Sequence, residues 1–124
     1  RLHVQSSPEP LVVMGDRARL GAAVTALLRA ALRERSEPGD VIAACSKLAG
    51  SPAWGVVAIG EPEALPALLE GAQGTPPPFD EWRGGLGLAL PVARRVIELH
   101  GGAIWSAGEH HRSGAAAFRL PLGT

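Results

Sequence analysis

Residues 84–102 constrain the chain most tightly, because glycine pairs close both ends of a run whose apolar residues recur at helical spacing. Ala89, Val92, Ala93, Val96, Ile97 and His100 share one side of a helix expected over about residues 86–100, and Gly101-Gly102 stops it. Pro91 falls within the first turn or so, where its missing N–H costs little. A helix apolar on one side has to bury that side against another element. The remaining sequence supplies the partners.

A second helix is expected from Arg17 onward, with Asp16 as its N-cap. Leu20, Val24, Leu27, Leu28 and Ala31 recur on one face, alanines fill the positions between them, and Pro38-Gly39 ends the helix. Short apolar runs read as strands at residues 11–14, 41–45, 54–59, 103–106 and 115–120. Gly50-Ser51-Pro52 makes the middle two a hairpin, and residues 108–114 form the last turn. Residues 62–70 read as a short helix carrying Leu65, Leu68 and Leu69. The glycines and three consecutive prolines of 71–78 read as a loop. Together these elements predict an α+β two-layer sandwich: a mixed, mostly antiparallel sheet of four to five strands packed against two long helices and one short helix. A length of 124 residues fits one domain, residues 1–124. The chain opens at Arg1 in mid-pattern, so a fragment of a longer protein is expected.

Twelve basic and twelve acidic side chains cancel, leaving no long-range field that favours nucleic acid or an anionic membrane. Neither partner is therefore expected. Charged residues make up only 19% of the chain, low for a monomer surface. Either Ala-rich faces meet a neighbouring domain or second copy, or the source organism favours Ala, Gly and Arg. The lone Cys45 reads as a buried thiol in a reducing compartment. No apolar stretch approaches the roughly 20 residues that span a bilayer.

Gly84-Gly85-Leu86-Gly87-Leu88 leads directly into the second long helix. Small residues there allow backbone N–H groups to approach an anion at a helix N-terminus. The same glycines also permit close helix–sheet packing, and both readings stand. Glu109-His110-His111-Arg112 lacks a spaced third metal ligand and reads as a solvated turn. His100 reads as a cap on its helix C-terminus.

From Gly84-Gly85-Leu86-Gly87-Leu88 through the helix to His100-Gly101-Gly102-Ala103-Ile104-Trp105-Ser106, the run closely resembles the last glycine box, helix and HGG strand of sensor histidine kinase ATP-binding domains of the GHKL superfamily. The opening Pro10-Leu11-Val12-Val13-Met14-Gly15-Asp16 and the closing Gly114-Ala115-Ala116-Ala117-Phe118-Arg119-Leu120 extend the resemblance over about residues 9–122. It implies ATP and Mg²⁺ as ligands, but several positions depart from the family pattern. Ala26 and Ala30 stand where the family carries Asn, the second of which serves the metal. Ala58 replaces the Asp that accepts from adenine, and Pro62 replaces a glycine two residues after the retained Gly60. Leu68 to Ala72 stand where an aromatic pair is expected, and Arg83 replaces a glycine while Gly85 and Gly87 remain.

A methyl group offers a hard cation no oxygen. The resemblance so modified predicts a non-catalytic signal-transduction domain, a pseudokinase of two-component type, acting by protein–protein docking. No catalytic residue, metal ligand or cofactor is expected, and Gly60, Gly85 and Gly87 are vestiges of a nucleotide site. The ancestral cleft is expected to be shallow, collapsed or apolar. The expected partner is a helical dimerisation segment, a response-regulator receiver domain or another signaling protein. The setting is cytoplasmic, within a larger sensor that can itself be membrane-attached. The alternative is a divergent but working domain that binds ATP and Mg²⁺, with Glu34 as replacement ligand, and phosphorylates a His on a separate helical segment. Phe79, Trp82 and Arg83 are candidate protein contacts, with Trp82 either anchoring a partner or packing over the vacated cleft.

Overall fold

A computed structural model describes residues 2–5, 11–34, 40–50, 53–73, 75–80, 87–107 and 115–122, the first of these segments as backbone. In chain order the elements are β1 (Leu2–Gln5), α1 (Arg17–Glu34), β2 (Val41–Leu48), β3 (Trp54–Gly60), a 3₁₀ turn (Pro62–Ala64), α2 (Leu65–Gly71), α3 (Ala89–Leu99), β4 (Ala103–Ser106) and β5 (Ala116–Pro121). The strands form one sheet in the order β1-β2-β3-β5-β4. Only β1–β2 is parallel; the other three pairings are antiparallel. The mixed, mostly antiparallel sandwich expected from the sequence is the one the chain adopts.

Side chains alternate across the sheet with a period of two, and the core divides accordingly. Val57 and Ile59 of β3 pack with Leu27, Ala30, Leu90 and Ile97 beneath α1 and α3. Val56 and Ala58 face the other way, into a smaller cluster with Leu68, Trp105 and Ala117 under α2. The two long helices thus cover one face of the sheet, and the short helix sits against the reverse face.

The expected strand at residues 11–14 makes only an isolated bridge, Val13 to Leu122. Val12 and Met14 are exposed, and only Val13 of this run packs on the larger core cluster. The edge beside β2 is taken by β1, whose four residues carry little local signal. Parallel pairing is non-local and leaves no turn to read.

The expected phase of α3 is also shifted: Leu90, Ala93 and Ile97 are buried, whereas Val92 is 56% exposed. Leu90, three residues before Ala93 and seven before Ile97, completes a stripe that centres the buried side away from Val92. Cys45 is half-buried rather than buried. It lies opposite Val57, past the stretch of β2 that the helices cover most closely.

One joint ties the two long helices. Asp16 Oδ1 accepts from the Arg19 N–H at 3.1 Å, the N-cap bond expected of it. The Asp16 N–H donates to His100 Nε2 at 2.9 Å, and His100 Nδ1 lies 2.7 Å from the Val96 carbonyl. With Nε2 accepting, Nδ1 carries the proton and donates to Val96. His100 therefore closes its own helix and fastens the start of α1 to it. A Cβ on Gly15 would strike the His100 ring, and a Cβ on Gly102 would strike the Arg119 carbonyl. Gly101 has φ +82°, the left-handed conformation that terminates helices.

Candidate functional site

The positions singled out by sequence are distributed over both core clusters. Ala30, 3% exposed, is packed between α1 and the sheet. Ala58, fully buried at 0%, lies on the reverse face among Ala64, Leu68 and Trp105. Leu68 is fixed there by its carbonyl, which accepts from Trp105 Nε1 at 2.9 Å. At neither position does the chain offer Mg²⁺ an oxygen ligand or an adenine amino group an acceptor, and apolar side chains surround both. The residues present at these two positions do not fit MgATP. Among the described residues no group of three or more His, Cys, Asp or Glu side chains comes together.

Gly60 ends β3, and a Cβ there would lie 2.7 Å from the Ala115 Cβ. Close strand approach is reason enough for a glycine at that point. Gly87 has φ +61° with open space where a Cβ would project, so its requirement is conformational. Pro62 begins the 3₁₀ turn that leads into α2. Phe79 is half-buried against the larger cluster. Its segment is pinned to β4 on both sides, by Ser106 N–H to the Pro78 carbonyl at 3.1 Å and by Asp80 N–H to Ser106 Oγ at 2.9 Å. Trp82, Arg83, Gly85, His110 and His111 lie outside the described residues. Phe79 is thus the one proposed contact residue whose surroundings are described.

The outer surface of the helical layer carries a feature that sequence reading missed. The Asp16–His100 joint sets α1 and α3 antiparallel, and between them runs an open groove of about 870 Å³. Ala22 and Ala26 line it on the side of α1, and Leu88, Val92 and Leu99 on the side of α3. Leu88 and Leu99 are 69% and 63% exposed. Arg19, Arg29 and Arg95 line the rim. The signal was present in part: 88, 92, 95 and 99 fall on one stripe at helical spacing. The local excess of arginine was hidden by the zero net charge of the whole chain.

This architecture is the fold of the ATP-binding catalytic domain of sensor histidine kinases. Among solved structures, the mycobacterial sensor histidine kinase MprB matches with a TM-score of 0.61 and 23% identity, covering 98% of this chain and 82% of that one. The catalytic domain of histidine kinase ThkA matches at 0.58 and 21% identity, covering 97% and 78%. Full-length ShkA, solved in complex with AMPPNP, matches at 0.60 and 23% identity, covering 99% of this chain and 26% of that one. Among curated proteins, the adaptive-response sensory kinase SasA of Synechococcus sp. (strain CC9311) is 40% identical over 38 residues, which is 31% of this chain. That match spans only 10% of the curated relative's length. No protein-family model matches the chain. No helix among the described residues is long and apolar enough to cross a membrane.

Proposed function

We propose that this chain is a docking module of a signal-transduction protein, built on the histidine kinase ATP-binding fold, in which MgATP binding has been lost. The observation that carries the reading is the burial of Ala30 in the apolar cluster beneath α1 and α3, where the resembling family places the Asn that serves the metal. Loss of that ligand leaves the triphosphate charge without its neutralising ion. Gly60, Gly85 and Gly87 persist as vestiges of the nucleotide site. The chain is one domain of a longer cytoplasmic sensor, and its partner is a helical dimerisation segment or a receiver domain.

Calorimetry with ATP and Mg²⁺ tests this directly. The expected result is no saturable heat at millimolar nucleotide. Micromolar binding that disappears in Glu34→Ala overturns it in favour of a working kinase domain with a substitute metal ligand.

Phe79, Trp82 and Arg83 remain proposed contacts, and the bonds at Pro78 and Asp80 fix the segment that carries Phe79. For Trp82→Ala, weaker binding to the receiver domain or helical segment at an unchanged melting temperature is expected. A fall of several degrees without loss of binding assigns Trp82 to packing instead.

A further inference from the structure

We infer that the groove between α1 and α3 is a docking site for an acidic amphipathic α-helix of another protein; this rests on the docking reading above and specifies its surface. The groove has the shape for a helix. It follows two antiparallel helices from Arg19 to Arg29 on α1, about 15 Å or some three turns. Alanines at 22 and 26 let a partner backbone approach closely, while Leu88, Val92 and Leu99 offer large apolar contacts on the other side. Helix-in-groove recognition uses such a surface, read by apolar anchors on successive turns of the ligand.

Charge decides which helix. Among the described residues, every charged side chain lining the groove is an arginine. Arg19 is held by Asp16 at 3.5 Å, whereas Arg29 and Arg95 form no ion pair among the described residues. Arg94 and Glu98 pair with each other at 3.5 Å and do not line the groove. A ligand with an apolar face flanked by Glu or Asp would satisfy both guanidiniums while covering the leucines. A second copy of this chain would bring like charges together, because Arg29 and Arg95 flank the same apolar strip. The positive field is local, which is why the balanced composition of the whole chain does not reveal it.

The test uses two synthetic helical peptides of equal length and identical Leu faces, one flanked by Glu and one by Lys, titrated into the full chain by fluorescence anisotropy. The Glu peptide is expected to bind at least about tenfold more tightly than the Lys peptide at low salt. Val92→Glu is expected to abolish binding of the Glu peptide. Arg29→Glu with Arg95→Glu is expected to reverse the preference. All three substituted side chains are solvent-exposed, so melting temperatures should not move, and circular dichroism checks that they do not.

Equal binding of both peptides, or binding indifferent to Val92→Glu, overturns the inference. So does concentration-dependent dimerisation lost in Val92→Glu, which assigns the groove to a second copy. Binding to anionic phosphatidylglycerol vesicles with no peptide binding also overturns it, in favour of a lipid surface. The peptide and vesicle titrations contain no nucleotide and the calorimetry contains no peptide, so the groove can fail while the loss of MgATP binding stands, and the reverse.

Discussion

At the scale of single residues, glycines in this chain do opposite things according to what surrounds them. Gly102 leaves no room for a methyl group. Its Cβ would strike the Arg119 carbonyl and lie 2.9 Å from Leu120 Cδ2 and 3.1 Å from Ile97 Cγ2. The carbonyl belongs to the β4–β5 ladder and cannot retreat without breaking sheet pairing. Gly102→Ala is expected to destabilise the chain by more than about 2 kcal/mol, within the range of overpacking penalties. Gly21 is the contrast, lying in the interior of α1 with nothing within 4 Å of a Cβ. Gly21→Ala should stabilise by about 0.5–1 kcal/mol, because alanine loses less backbone freedom on folding. Urea unfolding of both variants checks the pair; equal effects would refute the steric account.

Among the elements, α2 is the one held least by its own sequence. At seven residues it is too short to be stable alone, and neither its N-cap nor that of the preceding 3₁₀ turn has a side-chain hydrogen bond. Its place depends on Trp105, which is fully buried and donates to the Leu68 carbonyl. Arg119 adds a second tether, donating to the Ala72 carbonyl at 3.2 Å while stacking 4.6 Å from the Trp54 ring. Trp105→Phe keeps an aromatic side chain but leaves the Leu68 carbonyl unpaired and a void beside it. The expected loss is about 2–4 kcal/mol from these two effects together. Amide exchange should quicken in residues 65–72 before it does in α1 or α3. Uniform quickening throughout the chain would show that α2 is no separate unit.

The short helix and the hairpin before it were readable from local pattern. The hydrogen bond from Trp105 was not, because 37 residues separate it from Leu68. Sequence placed Trp105 in a strand, but could not say what its indole N–H would meet.

For the whole molecule, the division of the core into two clusters governs what substitutions toward the resembling family would do. Ala30→Asn and Ala58→Asp would return the two residue types that the resembling family carries, one on each face of the sheet. The carboxylate at 58 would be buried among Leu68, Trp105 and Ala117, where an unpaired charge costs several kcal/mol. The double variant is expected to melt well below the parent and still give no saturable heat with ATP and Mg²⁺. Tight nucleotide binding at unchanged stability would refute the claim that these positions have been absorbed into the core.

Sequence alone determined what is set within a few turns or one strand: the two long helices, the Asp16 cap, the central hairpin, the final strands and the general sandwich. Those follow from periodicity, propensity and turn chemistry, each readable in a short window. Tertiary structure decided the parallel edge strand at residues 2–5, the phase of α3, the reason Gly60 and Gly102 must be glycine, and the groove between the long helices. Each depends on groups far apart in the chain, as with the 84 residues between Asp16 and His100. Such contacts leave no local trace, because the side chain that fixes a position is supplied by a different element.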